Sequence, residues 1–231
     1  MVKSRYGALW TLICIFFFFS GSISAGEGTK DLTAAIQKQY QGIESFRTEF
    51  TQKLINPSSK ESQTRKGWIV YQRPRRIHWE TESPEKEVLI LNGKTVWDYY
   101  PEEGVAYRYS LQKKFDSRTM LRFISGEIDL RREFNVTRLK PDSQDKGLIR
   151  LKLVPKDPDP GMVKAEIRVN TEKMLIKRIR LVDFFGNENI LRFQHIQRNC
   201  QPDAELFIFE PPEDTRVVDE SGGYSNGSGE N

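Results

Sequence analysis

Short segments in which hydrophobic and polar residues alternate run through most of this chain and restrict it to a β-rich fold. In the segment that begins at residue 45, Phe46, Phe50 and Leu54 fall on one side and charged or polar residues on the other. This period of two is expected for a strand with one buried face. Turn formers such as Asn92-Gly93 separate such segments, and together they predict about eleven strands in an antiparallel meander. The further segments are 67–73, 75–82, 87–91, 95–99, 105–109, 132–139, 148–155, 163–170, 174–183, 188–197 and 205–209.

Two segments have helical spacing instead. In the first, Thr29 or Asp31 is placed to cap a helix. Its apolar residues recur at spacings of four, four and three, and they are Leu32, Ile36, Tyr40 and Ile43. The second covers 117–125, where the apolar residues fit a helical face and Gly126 is a suitable end. We therefore expect one large curved sheet with short helices over one face.

Residues 1–25 have the composition of a secretory signal peptide. Lys3 and Arg5 precede an apolar run at 8–19, and small residues follow at 20–25. The run is shorter than the roughly 20 residues that a membrane-spanning helix needs, and no second such run follows. The sequence thus predicts a secreted protein without a membrane span.

The remaining chain is expected to form one domain, at 26–220, followed by a disordered tail at 221–231 that is rich in Gly, Ser and Asn. With 37% hydrophobic residues, the chain has enough apolar side chains for one sizeable core. Cys14 lies within the predicted signal peptide, which leaves Cys200 as the only cysteine of the mature protein. No intramolecular disulfide is expected, and the role of Cys200 stays open.

The residue types that enzymes and metal sites require are scarce. Only His78 and His195 are present, and no Cys or His pair has zinc-ligand spacing. No serine lies in a G-x-S-x-G turn, and no Gly-rich loop joins a strand to a helix. The sequence predicts a protein that is not an enzyme and needs no cofactor.

Basic residues cluster at two places, 73–76 and 177–180. Each cluster is either a solvated strand face or a positive surface toward anionic headgroups or an acidic partner, and both alternatives stay open. Basic and aromatic residues interleave at 71–79, as on a platform for stacked bases, but secretion argues against nucleic acid as a partner.

Aromatic residues are concentrated between Trp68 and Tyr109. Some of them must line the face of the sheet that the helices cover. The space between sheet and helices is either a packed core or an apolar cavity, and the residues alone leave both possibilities open.

Four segments, in order along the chain, resemble segments of the LolA family of lipoprotein carriers. Residues 45–52 are similar to its S-F-x-x-x-F-x-Q stretch, and residues 73–79 to its R-P-x-x-[FL]-x-W stretch. Residues 92–101 look like its D-G-K-x-[LV]-W-x-Y-x-P segment, and residues 206–212 like its terminal F-x-F-x-P-P strand and turn. The resemblance extends over residues 29 to about 220.

This resemblance implies a mainly β (α+β) fold, an unclosed antiparallel β-barrel of about eleven strands with a lid of short helices. A hydrophobic cavity between barrel and lid would shelter the acyl chains of a lipoprotein. Arg73, which matches the Arg of R-P, would latch the lid by hydrogen bonds. The candidates to line the cavity or lid are Ile36, Tyr40, Phe46, Phe50, Ile77, Trp79, Leu89, Leu91, Trp97, Phe123 and Ile124.

The resemblance also implies partners and a location. A periplasmic, monomeric carrier would receive acylated lipoprotein cargo from an inner-membrane lipoprotein-releasing ABC transporter and pass it to an outer-membrane lipoprotein acceptor. Two alternatives remain: a lipid-sensing or interaction module on the same fold, and a paralogue that carries another lipid. Which lipoproteins or lipids are carried is not encoded in these motifs.

Overall fold

The computed structural model of this protein describes residues 25–110, 115–141, 147–157 and 161–221. Twelve strands in these residues form a single sheet. The strands are β1 (Ser45–Asn56), β2 (Glu61–Gln72), β3 (Arg76–Ser83), β4 (Glu87–Asn92), β5 (Thr95–Tyr100), β6 (Val105–Ser110), β7 (Phe134–Arg138), β8 (Leu148–Pro155), β9 (Lys164–Asn170), β10 (Ile176–Val182), β11 (Glu188–Arg198) and β12 (Arg216–Asp219).

The order of strands across the sheet is β12-β6-β5-β4-β3-β2-β1-β11-β10-β9-β8-β7. Every neighbouring pair is antiparallel except β12 and β6, which run parallel. The edge strands β12 and β7 do not pair with each other, so the sheet remains unclosed. The predicted β-rich fold, an unclosed antiparallel sheet with short helices, is confirmed.

Three helices accompany the sheet: α1 (Ala25–Gln41), α2 (Phe115–Ile124) and α3 (Leu130–Glu133). Their apolar side chains join one core cluster with alternate residues of the strands. The sheet face that contributes to this cluster is called the inner face here, and the opposite face the outer face. The alternation that predicted the strands thus reflects an inner face under the helices and an outer face that is solvated in part. Val70, His78 and Ile90 on the outer face are buried, where the segment after β11 packs against β3 and β4.

The strand prediction was wrong at the C-terminal end of the domain. The segment 205–209 forms a 3₁₀ turn, Ala204–Phe207, instead of a strand. The Asp203 side chain accepts a hydrogen bond from the backbone N–H of Glu205, and this local bond stabilises the turn. The short strand β12 was not predicted, because its four residues add no alternating pattern long enough to detect.

Several strand boundaries also differ from the prediction, and two of them have a local cause. The strand expected at 132–139 begins at Phe134, because Asp129 caps the preceding helix α3 by accepting bonds from two of its backbone N–H groups. Strand β2 begins at Glu61, six residues before the predicted start, in a segment whose side chains are mostly exposed and so show no apolar alternation.

The predicted signal peptide and C-terminal tail lie outside the described residues, apart from Ala25, where α1 begins, and Ser221. Within the described ranges, no helix combines the length and the apolar composition that a membrane span requires.

Candidate functional site

The inner face of the sheet and the three helices share one apolar cluster, and it contains most of the predicted site residues. Nine of them are at most 9% exposed, and Tyr40 packs against the cluster from α1. The nine are Ile36, Phe46, Phe50, Ile77, Trp79, Leu89, Leu91, Phe123 and Ile124. The structure therefore brings together apolar side chains from β1, β3, β4, α1 and α2.

Aromatic contacts connect the parts of this cluster. Phe50 and Trp79 meet edge to face with ring centroids 5.1 Å apart. Phe123 of α2 packs against Phe134 with centroids 6.1 Å apart. Such pairs add roughly 0.5–1.5 kcal/mol to the free energy of burial.

Trp97 is a correction to the expected set. Its neighbour Val96 enters the cluster, so the alternation of β5 places Trp97 on the outer face. There the Trp97 ring lies 5.2 Å from the ring of Phe209 and 5.7 Å from the guanidinium carbon of Arg108. Trp97 supports the segment that follows the 3₁₀ turn and does not line the helix-covered space.

Under the helices a small cavity is enclosed, and an open groove of about 890 Å³, lined mostly by polar residues, lies between α1, α3 and the edge strand β7. A cavity of about 20 Å³ is lined by residues of α1 and the α2–α3 segment and by Ile176 of β10. This volume is room for about one water molecule. An acyl chain is too large for this cavity, so it reaches the apolar inner face at this point only if the helices move.

Arg73, in the turn between β2 and β3, fastens the C-terminal end of α1. Its Nη2 donates to the carbonyl oxygens of Tyr40, Gln41 and Ile43 at 3.1, 3.2 and 3.1 Å. Its Nε donates to the same Ile43 oxygen at 3.3 Å and lies 3.7 Å from a carboxylate oxygen of Glu44. The last carbonyls of a helix lack intrahelical donors and carry partial negative charge, so a guanidinium is a favourable partner for them.

A second arginine of the same turn contacts the other helical segment, which sequence reasoning did not foresee. The Nε of Arg75 lies 2.7 Å from Oε1 of Glu127, just after α2. The only signal available in the sequence was the basic cluster 73–76. Arg73 and Arg75 thus connect the turn between β2 and β3 to α1 and to the α2–α3 segment, the two helical parts that cover the inner face.

Tyr40 makes a third polar contact between helix and sheet. Its hydroxyl accepts a hydrogen bond from the backbone N–H of Ile176 at 3.2 Å, and burial raises the pKa of this hydroxyl well above its ordinary value. Gly126 faces the same ring: a Cβ there would lie 3.0 Å from Cδ1 of Tyr40. Gly126 also has a φ of +68°, which favours glycine.

The end of the inner face away from the Arg73 turn is polar. Arg65 pairs with Glu87, and the hydroxyl of Tyr100 donates to Oδ2 of Asp98 at 3.3 Å. Burial, followed by the charge of Asp98, raises the pKa of Tyr100. The inner face is therefore apolar under the helices and charged at its far end.

The two histidines have structural contacts. His78 stacks on Trp68 with centroids 4.6 Å apart, and its Nδ1 lies 2.7 Å from the carbonyl oxygen of Leu206. His195 lies 3.0 Å from a carboxylate oxygen of Glu49. In the described part of the chain, no three His, Cys, Asp or Glu side chains are grouped as metal ligands.

The fold and this site define a class of single-sheet proteins in which short helices cover an apolar face. The family model described as "Outer membrane lipoprotein carrier protein LolA" matches residues 41–210. The chain belongs to the LolA family.

Individual relatives agree with this assignment. The chain is 29% identical to an outer-membrane lipoprotein carrier protein of Dechloromonas aromatica, over 80% of this chain and 88% of that protein. It is also 29% identical to the protein of the same description in Bordetella avium, over 85% of this chain and 90% of that one. Among solved structures, an uncharacterized conserved protein from Thermus thermophilus superposes with a TM-score of 0.53 at 13% identity, over 83% of this chain and 99% of that one. The last comparison concerns the fold alone.

Proposed function

We propose that this protein is a periplasmic chaperone for acylated lipoproteins, and that it shelters their acyl chains between the inner face and the helices. The main support is that apolar side chains of α1 and α2 form one cluster with the inner face of the sheet. In addition, the turn between β2 and β3 holds both α1 and the segment after α2 by polar contacts. Such a cover can be released without unfolding the sheet. The names of the relatives in the LolA family support the same role.

Burial of an acyl chain can offset the exposure of several apolar helix side chains, each of which costs about 1.5–3 kcal/mol. Burial of a methylene is worth about 0.8 kcal/mol, so a chain of about 15 methylenes gains roughly 12 kcal/mol on leaving water. The cavity enclosed between α1, the α2–α3 segment and Ile176 has a volume of only about 20 Å³. Acyl chains would therefore replace helix side chains on the inner face, including the contacts of Ile36 and Phe123.

In this proposal Arg73 is the latch of the lid. It holds α1 through charge-assisted hydrogen bonds that water can replace when the helix moves. Since the latch stabilises only the closed form, it competes with cargo and favours release to an acceptor with higher affinity. Arg75 has the corresponding contact with the α2–α3 segment.

The proposed route begins at an inner-membrane lipoprotein-releasing ABC transporter and ends at an outer-membrane lipoprotein acceptor. Residues 1–25 would direct secretion as a signal peptide, and residues 26–220 would form the carrier domain, acting as a monomer. The protein itself catalyses no reaction, since a downhill transfer requires only a difference in affinity between carrier and acceptor.

Co-purification tests the proposal. The mature protein is incubated with a detergent-free acylated lipoprotein, and with the same lipoprotein lacking its acyl chains, and the recovered complex is quantified. We expect recovery of the acylated form only, and greater retention of cargo by Arg73→Leu because its closed form is less stable. Arg76→Leu is the matched control, because Arg76 lies in the same basic cluster but bonds to Gln72 and not to a helix. Equal recovery of acylated and unacylated lipoprotein by the wild type would contradict the proposal.

A further inference from the structure

The outer face carries a row of arginines that the sheet register brings side by side. Arg150 lies opposite Arg168, Arg168 opposite Arg178, and Arg178 opposite Arg192, on the four adjacent strands β8 to β11. The residues that flank them in the chain, such as Ile167 and Leu191, are in the core cluster, so the arginines point away from it. Neighbouring strands are about 4.8 Å apart, which puts the four side chains in one line across the sheet.

One end of this row is neutralised within the chain. Glu166 accepts bonds from Nε and Nη2 of Arg150 at 3.1 and 3.3 Å and from Nε of Arg168 at 3.2 Å. On the next row, Arg180 pairs with Glu188. Both carboxylates are thus engaged, while the other two arginines lie beyond them.

Arg178 and Arg192 have no ion pair among the described residues. The Nε of Arg178 is buried without a hydrogen-bond partner there. Burial lowers the pKa of Arg178, the adjacent charges of Arg168 and Arg192 lower it further, and the carboxylate of Glu166 opposes them. Like charges directly opposite each other destabilise a sheet, and a buried donor without a partner adds a further cost. The arrangement therefore has a cost that the ion pairs of the described residues offset only in part.

We propose that Arg178 and Arg192 form a binding site for a phosphate group on the outer face. A phosphate has several acceptor oxygens, and two guanidinium groups on adjacent strands can approach it together with bidentate geometry. Its negative charge would also compensate the excess positive charge of this row and the next, which together hold five arginines and the carboxylates of Glu166 and Glu188. The site lies on the face opposite the helices, so it is independent of the proposed acyl-chain site and can be occupied while the helices are closed.

The phosphate has two possible sources, the headgroup of an anionic lipid and free phosphate, and two experiments distinguish them. In the first, inorganic phosphate is titrated against chloride at matched ionic strength while the melting temperature and binding heat are measured. In the second, the protein is sedimented with vesicles of phosphatidylglycerol and phosphatidylcholine, or of phosphatidylcholine alone. The test variant is Arg178→Gln/Arg192→Gln. The control variant is Arg131→Gln/Arg132→Gln, which removes the same charge from the exposed residues of α3.

A phosphate-specific rise in melting temperature that the test variant loses and the control keeps would identify a free-phosphate site. Sedimentation only with phosphatidylglycerol vesicles, again lost only in the test variant, would identify a headgroup site. The test variant is expected to weaken binding by about tenfold or more, since hydrogen bonds to charged groups are worth at least that factor.

The test variant must also fold, and its stability provides an independent check. In chloride buffer without phosphate, its melting temperature should be no lower than that of the wild type, because it relieves the repulsion within the row. A lower melting temperature would mean that the row is a structural element. Any of three results would overturn the proposal. They are a lower melting temperature of the test variant, an equal loss of binding in the control variant, and no binding of either probe by the wild type.

Discussion

Replacement of Arg73 by Leu is expected to loosen the C-terminal end of α1 while the sheet stays folded. In the wild type the guanidinium donates to three carbonyl oxygens at 3.1–3.3 Å, and these carbonyls have few other partners at the end of the helix. The side chain of leucine has no hydrogen-bond donor. The variant therefore loses a contact of the closed form that the opened form does not have.

The magnitude follows from the number of bonds and their exposure. A hydrogen bond to a charged group contributes about 1.5–3 kcal/mol when shielded from water. The Arg73 side chain is 38% exposed, and the released carbonyls can bond to water. We therefore expect the free energy of opening to fall by about 2 kcal/mol, which corresponds to a roughly thirtyfold larger equilibrium constant for local opening.

Amide hydrogen exchange measures this free energy directly. In Arg73→Leu, the amides near Ile36 on α1 should lose about thirtyfold in protection, while amides near Ile167 on the interior strand β9 should change little. Arg76→Leu should leave both regions unchanged, because its hydrogen bond stays within the sheet turn. Unchanged protection of α1, or an equal loss on β9, would refute the assignment of Arg73 as a local latch.

Three further changes test the contacts between helices and sheet. Tyr40→Phe should lower the free energy of unfolding by about 1–3 kcal/mol in urea, because the Ile176 N–H loses its acceptor; no change would mean that water replaces it. Gly126→Ala should lower it by about 1–2 kcal/mol, since its φ of +68° disfavours a side chain and the added Cβ would lie 3.0 Å from Cδ1 of Tyr40. Asp129 caps α3, and its bonds to backbone N–H groups lower its pKa from the ordinary 3.8. The charged Asp129 side chain therefore stabilises the folded protein above that value, and this stabilisation is lost as the pH falls through the lower pKa of Asp129 in the folded protein. Asp129→Asn, which keeps an acceptor but cannot titrate, should therefore lose less stability than the wild type between pH 4 and 2; parallel curves would contradict this.

Much of the fold was predictable because alternation and turns are local properties of the sequence. Phe46 and Phe50 mark the buried side of β1, and the structure places both in the core cluster. Trp97 shows the limit of the same argument. Alternation predicts that Trp97 and Val96 lie on opposite faces of the sheet, but it does not predict which face the helices cover. Trp97 was therefore assigned to the inner face, whereas it lies on the outer face.

The polar contacts of the cover depend on long-range geometry. Arg75 and Glu127 are 52 residues apart, and no local pattern connects them. The register of β8 to β11 likewise sets Arg178 opposite Arg192, although in the sequence Arg192 lies well away from the basic cluster 177–180. Such pairings follow from strand order and helix placement, which tertiary packing determines.

Photo-crosslinking of a lipoprotein with a diazirine near the end of one acyl chain tests most directly where cargo binds. Mass spectrometry of the crosslinked complex identifies the labelled residues. We predict labels at inner-face residues such as Phe50, Trp79 and Leu91, and none at Trp97 on the outer face. Labels confined to the surroundings of Trp97, with the inner face unlabelled, would contradict the proposal that acyl chains take the place of the helices on the inner face.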